Sequence, residues 1–348
     1  KQRNRNEDTA ARKKRKVEKS MGERVIQAEN LSRVYRVRVG QEIFFRRIIS
    51  NQFREIRAVD RISFEVERGE TVGFIGPNGA GKSTTIKMMT GILVPTDGSV
   101  KVLGKEPYRY RKDNAMKIGV VFGQRTQLWW DLPLSDTFRL LKSMYRIPDL
   151  VYKRNMELFM EELDLRAFFQ QPVRQLSLGQ RMRGEIAAAM LHDPEILFLD
   201  EPTIGLDVLV KQQLRGFIRS MNREKNVTMI LTTHDMKDVE DLCQRIVLIN
   251  GGKIVLDMPV SEVRDRFCQS HDVVITFARE PGMLACPDGC EIIPRGKLEY
   301  VFRVDHHKIR ISDFIARYLA EYEVQDISIQ GMEIEEIVRR LYQGRAAV

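Results

Sequence analysis

The chain has 348 residues, 43% of them hydrophobic, enough for two or three domains with a sizeable core. No run of about 18 apolar residues occurs, so no membrane span of its own is expected, and no apolar signal core follows the basic start. The formal charge of +9 sits at one end: residues 1–57 carry 17 Lys/Arg against 7 Asp/Glu, the remainder 40 against 41.

Residues 1–22 are polar and basic and read as a disordered tail. The run Arg12–Val17 has the form of a nuclear-import signal, but a solvated tail is the simpler reading. A strand is expected from Val25 through Val34, ending at Tyr35. Residues 36–57 read as a basic insertion carrying Phe44-Phe45 and Arg46-Arg47-Ile48-Ile49. It suits a membrane or partner surface, or an ordinary amphipathic loop. A basic end meets acidic lipid head groups or a polyanion, and charge does not choose between them. Val59–Val66 alternates as a strand.

Thr71–Ile75 is an apolar strand running into Gly76-Pro77-Asn78-Gly79-Ala80-Gly81-Lys82-Ser83-Thr84, and a helical pattern follows. This is the G-x-x-x-x-G-K-[ST] phosphate loop in its strand-then-helix setting. Glycines let successive N–H groups turn toward anionic oxygens, and the helix N-terminus adds partial positive charge. Lys82 reaches the outer phosphates, and Ser83 offers its hydroxyl to Mg²⁺.

Strands are expected at Ser99–Leu103 and Ile118–Phe122, the latter ending at Gly123-Gln124. Helices fill about 134–192, punctuated by Pro148, Pro172 and Gly184. Ile196–Leu199 is a continuous apolar run, as in a strand buried on both faces of a parallel sheet. It ends in Asp200-Glu201. Asp200 is placed to hold Mg²⁺, and Glu201 to polarise a water for in-line attack on a γ-phosphate. Helix 208–224, strand 228–231, helix 236–242 and strand 246–249 continue an α/β alternation. Pro259 and a charged helix at 261–267 mark a boundary. Residues 271–348 read as a small α+β unit without a catalytic constellation. Cys243, Cys268, Cys286 and Cys290 read as reduced thiols, and His306-His307 as a turn surface, because no partner ligands stand at usable spacing.

Leu176-Ser177-Leu178-Gly179-Gln180 resembles the Leu-Ser-Gly-Gly-Gln signature of ABC transporter nucleotide-binding subunits, with Leu178 departing from it. Ser177 and Gly179 stand at a helix start, where hydroxyl and N–H groups meet a phosphate. The resemblance implies that this phosphate belongs to the opposite subunit. It further implies that Tyr35 stacks on adenine, that Gln124 senses Mg²⁺ and the attacking water, that Asp207 crosses a dimer interface, and that His234 contacts the γ-phosphate. The implied fold is an α/β P-loop ATPase core over 23–258, with a helical subdomain near 134–192 and a C-terminal accessory domain over 259–348. Residues 271–348 resemble the small C-terminal extension of ABC-2 class exporter ATPases, of daunorubicin-resistance, viologen-exporter or polysaccharide type, and Phe122–Pro133 resembles the viologen-exporter subgroup of that class. The expectation is an ATPase binding ATP and Mg²⁺, dimeric with itself or a related subunit, peripheral on the cytoplasmic face of a prokaryotic membrane. It would drive a multi-span permease, touch acidic lipid through its basic end and bind no nucleic acid. Trp129 and Trp130 would line the permease groove or pack in the core. The rival is a soluble ATPase of the same type acting on nucleic acid or the ribosome. Such proteins usually carry two cassettes or a long coiled coil, and neither is present here.

Overall fold

A computed structural model of the chain describes residues 22–38, 53–123, 126–267, 270–282, 284–305, 308–331, 335 and 337–339. The basic tail to residue 21, most of the 36–57 stretch, Gln124, Cys268 and His306-His307 lie outside the described residues. The chain divides into two compact units, Lys1–Asp257 and Met258–Val348.

In chain order the first unit holds β1 (Arg24–Arg38), β2 (Phe53–Glu67), β3 (Thr71–Ile75), α1 (Lys82–Met89), β4 (Asp97–Val102), α2 (Arg111–Ala115) and β5 (Ile118–Phe122). Then come α3 (Leu134–Met144), α4 (Asp149–Glu162), α5 (Leu178–Met190), β6 (Ile196–Asp200) and α6 (Val208–Lys225). It closes with β7 (Thr228–Thr232), α7 (Met236–Leu242), β8 (Arg245–Asn250) and β9 (Lys253–Pro259), the last of which runs across the division.

The main sheet has the order β5-β6-β7-β3-β8-β9, and its pairs from β5 to β8 are parallel. Every residue of β3 and β7 is buried, as continuous apolar runs require when helices cover both faces. A second sheet, β2-β1-β4, is antiparallel and alternates: Ile62, Phe64 and Val66 turn inward while their neighbours stay exposed. The two sheets share one core, in which the Phe64 ring meets Phe74 edge-on at 5.2 Å between centroids. Pro133 and Pro148 stand at the N-caps of α3 and α4, where a missing N–H costs nothing and a fixed φ directs the chain into the helix.

The second unit holds α8 (Val260–Phe267), β10 (Ser270–Phe277), β11 (Cys290–Pro294), β12 (Glu299–Asp305), α9 (Ile311–Glu321) and β13 (Val324–Gly331). Its sheet has the order β11-β12-β10-β13, antiparallel throughout. Phe314 and Tyr318 of α9 pack on Phe302, and Val273, Ile275 and Phe277 complete that core.

Three features depart from the expected elements. β1 continues to Arg38, and Phe53–Arg57, read as insertion, form the first half of β2. Backbone pairing makes this ribbon, while Val37, Phe53 and Ile56 stay exposed, so no inward apolar alternation marks it. The short helix α2 and the strand β9 also form where none was expected.

Phe198 is fully buried at the middle of β6. Phe198→Ala leaves a cavity where close-packed neighbours relax little, and is expected to cost about 3–5 kcal/mol of stability. The shift of the urea midpoint at constant m-value measures it.

Candidate functional site

The phosphate loop lies at the C-terminal end of β3, where open parallel sheets place their ligands. Two of its glycines are fixed by close approach. A Cβ on Gly76 would sit 2.1 Å from the Ile249 carbonyl oxygen, and one on Gly81 would sit 2.3 Å from that of Ala58. Gly79 has a φ of +80° and open space where its Cβ would be, so this part of the curl faces outward. Gly81 caps α1 in the left-handed conformation, and no acidic residue occupies the first turn. The N-terminal N–H groups therefore keep their positive field. Lys82 is 5% exposed, and its Nζ donates to the carbonyls of Gly76 at 2.6 Å and Pro77 at 3.1 Å. Burial pulls its ammonium below the usual lysine range, against the pull of the Glu201 and Asp200 carboxylates.

Strand register brings the next residues to the same place. Phe122 of β5, Asp200 of β6, Thr232 of β7 and Phe74 of β3 form one row across the sheet. Asp200 Oδ1 accepts from Ser83 Oγ at 3.0 Å and from Thr232 Oγ1 at 2.6 Å. The Thr232 hydroxyl in turn accepts from the Glu201 N–H at 3.1 Å. Glu201 adopts φ +56°, a conformation that L side chains rarely take. It aims the carboxylate out of the strand, and Oε1 lies 2.7 Å from His234 Nε2. Ser83 and Asp200 present hard oxygens side by side, a donor set that fits Mg²⁺ completed by phosphate oxygens and water. Among the described residues no group of three or more His, Cys, Asp or Glu forms an all-protein metal cage.

A second group stands apart. Ser177 caps α5: its Oγ accepts from the Gln180 N–H at 3.2 Å, and the Gln180 Oε1 accepts from the Ser177 N–H at 2.9 Å. The Ser177 hydroxyl proton stays available. Asp207 caps α6 by accepting from the Val210 N–H at 2.9 Å. The two helix starts touch, since a Cβ on Gly179 would lie 3.1 Å from Val210 Cγ2. Leu178, the departure from the signature, packs toward Gly205: a Cβ there would lie 3.2 Å from Leu178 Cδ2. Among the described residues no hydrogen bond or ion pair joins this group to the phosphate loop.

Tyr35 pairs with Ile56 on the ribbon, two pairs beyond Arg33–Val59, where β2 passes Gly81. The Arg33 guanidinium lies 5.0 Å from its ring centroid. Gln124 is outside the described residues, but Gly123 before it donates its N–H to the Asp200 carbonyl at 2.8 Å. Trp129 and Trp130 are exposed, which removes the core-packing reading. A cavity of about 240 Å³ is lined by Ile92, Phe122, Thr126, Gln127, Tyr145 and Glu185, two of them just ahead of the tryptophans in the chain. Burial raises the Glu185 carboxyl above the usual range, although Thr126 and Gln127 donate to it.

Thr232 escaped the sequence reading. Its signal was a hydroxyl residue ending an apolar strand that runs parallel to the Asp200 strand. Only register shows that it stands beside the carboxylate.

A family model described as ABC transporter matches residues 59–204. The probable multidrug ABC transporter ATP-binding protein YbhF of Escherichia coli is 35% identical over 216 residues, which is 62% of this chain and 37% of that protein. The chain thus spans well under half the length of that relative. The probable sulfate/thiosulfate import ATP-binding protein CysA of Chlorella vulgaris is 32% identical over 62% of this chain and 91% of its own length. Among solved structures, the dimeric bacterial ABC transporter cassette MJ0796 superposes with a TM-score of 0.57 at 25% identity, covering 68% of this chain and 98% of that one. The α/β P-loop fold of these cassettes is the fold of the first unit.

The left-handed backbone at Glu201 is a cost with a measurable size. Glu201→Gly should raise stability by about 0.5–1 kcal/mol, because glycine adopts φ +56° freely. Urea unfolding of the mutant against the parent checks the sign.

Proposed function

The chain belongs to the ATP-binding proteins of ABC transporters, and on that premise we propose that it works as a head-to-tail dimer hydrolysing Mg-ATP to power export through a separate ABC-2 type permease. The observation that carries this reading is the division of polar groups within one chain. Gly76–Thr84, Asp200, Glu201 and His234 converge, whereas Ser177, Gly179, Gln180 and Asp207 gather elsewhere at an exposed pair of helix starts. A second copy would supply the latter group to the former, as the dimeric cassette similar to this chain suggests.

In this reading the loop N–H groups of Gly79, Ala80 and Gly81 and the α1 N-terminus bind the phosphates, and Lys82 leaves its carbonyl partners to meet the outer ones. Mg²⁺, when bound, supplies charge neutralisation across the phosphates. Ser83 and Asp200 would hold it, with Gln124, two residues beyond Phe122 in the chain, contributing. Glu201 accepts the proton of the attacking water, and His234 orients that carboxylate and donates toward the γ-phosphate. Ser177 and Gly179 bind the γ-phosphate of the other copy, Gln180 fixes Ser177 in its cap, and Asp207 orders the facing loop. Tyr35 offers its ring to adenine once Arg33 turns aside.

The two exposed rings of Trp129 and Trp130, with the cavity lined by Thr126 and Gln127, would form the surface offered to the permease. Among the described residues no helix is long and apolar enough to cross a membrane. In this reading the subunit would be peripheral, on the cytoplasmic face. Export rather than import rests on the resemblance of residues 271–348, and of Phe122–Pro133, to exporter ATPases of the ABC-2 class. The basic N-terminal end would add contact with acidic lipid.

Glu201→Gln tests the reading. The variant should bind ATP like the parent, accumulate as a dimer in ATP by size exclusion, and lose turnover by about 10²–10⁴-fold with its membrane partner present. Near-parental turnover, or a monomer throughout, sinks it, and co-purification with ribosomes or DNA in place of a permease would turn it to the rival.

A further inference from the structure

A carboxylate outside the reacting group is tied to both loops that carry it. Asp238, on α7, is fully buried, and so nearly are its partners: Thr203 at 3% exposure and Thr233 at 2%. Its Oδ2 accepts from the hydroxyls of Thr203 and of Thr233, the latter at 2.9 Å. Its Oδ1 accepts from Arg215 Nε of α6 at 2.6 Å. Thr203 lies two residues after Glu201, and Thr233 directly precedes His234. One carboxylate therefore pins the segments whose tips meet at 2.7 Å between Glu201 Oε1 and His234 Nε2.

The same hub reaches the second group of residues. Arg215 and Lys211 both lie on the helix that Asp207 caps. Arg215 Nη2 lies 3.2 Å and Lys211 Nζ 2.8 Å from Asp235 Oδ2, the residue after His234. A cavity of about 250 Å³ opens between these elements, lined by Glu201, Thr203, Gly205, Lys211, His234 and Asp235. Burying an arginine–carboxylate pair is a weak way to gain stability, because desolvation offsets attraction. Geometry is what such a pair fixes, since Arg215 Nε and Nη2 each aim at one carboxylate oxygen and both oxygens of Asp238 are engaged.

We propose that Asp238 is a positioning residue for ATP hydrolysis: through Thr203 and Thr233 it sets the Glu201–His234 contact, and through Arg215 it makes that contact depend on where α6 and its cap Asp207 stand. The inference rests on the reading of Glu201 and His234 given above. Its effect should fall on turnover and spare nucleotide binding, because among the described residues no hydrogen bond or ion pair joins the hub to the phosphate loop.

Thr203→Val and Thr233→Val remove one hydroxyl each at constant shape and leave the charged pair intact. Each should lower kcat about 10- to 100-fold in the full chain with its membrane partner, with KM for ATP within about twofold. Thr203→Ser and Thr233→Ser keep the hydroxyl and should restore the rate, which a packing role would not do. In the isolated chain with labelled histidine, the His234 imidazole NMR signal should move in the valine variants and return in the serine ones. The chain has five histidines, and loss of one peak in His234→Ala assigns it. Valine variants with parental kcat and an unmoved His234 signal overturn the proposal, as do serine variants as slow as the valines. Glu201→Gln run alongside separates the two claims: full activity there overturns the role of Glu201, while the NMR arm still decides whether the hub sets His234.

Discussion

The site depends on the register of one strand. Asp200 ends β6 level with Phe122 on one side and Thr232 on the other, and that row puts the Thr232 hydroxyl beside one carboxylate, which the Ser83 hydroxyl meets from the phosphate loop. A slip of one residue would turn Asp200 to the opposite face and present Leu199 in its place. The hydrophobic run of β6, buried on both faces, does not by itself choose a register. Parallel hydrogen bonds to both neighbours and the helices packed over the sheet must do so. Core and site are thus fixed by one constraint. Losses of packing at Phe198 would reach the phosphate loop through Ser83 without touching any site residue.

Much of this was legible in the chain. The phosphate loop declares itself because its demands are local: glycines where backbone meets backbone, a lysine and a hydroxyl at fixed offsets, a strand before and a helix after. Asp200-Glu201 is legible for a similar reason, since an apolar run ending in two acids has few structural excuses. The helix start at Ser177 and Gly179 is legible as a motif, although the reciprocal Ser177–Gln180 hydrogen bonds that cap it are not.

What stayed hidden depends on distance along the chain. Thr232, Thr203, Thr233 and Arg215 look ordinary in sequence, and their partners lie in other segments. The far end of the β1–β2 ribbon, Arg36–Arg38 with Phe53–Arg57, reads as an insertion because Val37, Phe53 and Ile56 stay exposed, so the usual alternation has no cause. Trp129 and Trp130 show the reverse case. Their size suggests a core, and only the packing around them leaves both rings outside.

Buried charge is used in two opposite ways in this unit. Around Asp238 every charge is matched: Arg215 meets Asp238 and Asp235, and each carboxylate oxygen of Asp238 has a donor. Such an arrangement resists change, because removing one partner leaves another stranded in low dielectric. Lys82 is handled differently. Its nearest partners are two carbonyls, neutral acceptors that satisfy protons without cancelling charge. The two carboxylates act on it through space, and burial still prevails in lowering its ammonium. A charge held that way gains when an anion arrives, since the anion supplies what the carbonyls do not. The hub beyond β7 thus has its charges met inside the protein, while the lysine beyond β3 is left receptive to an anion.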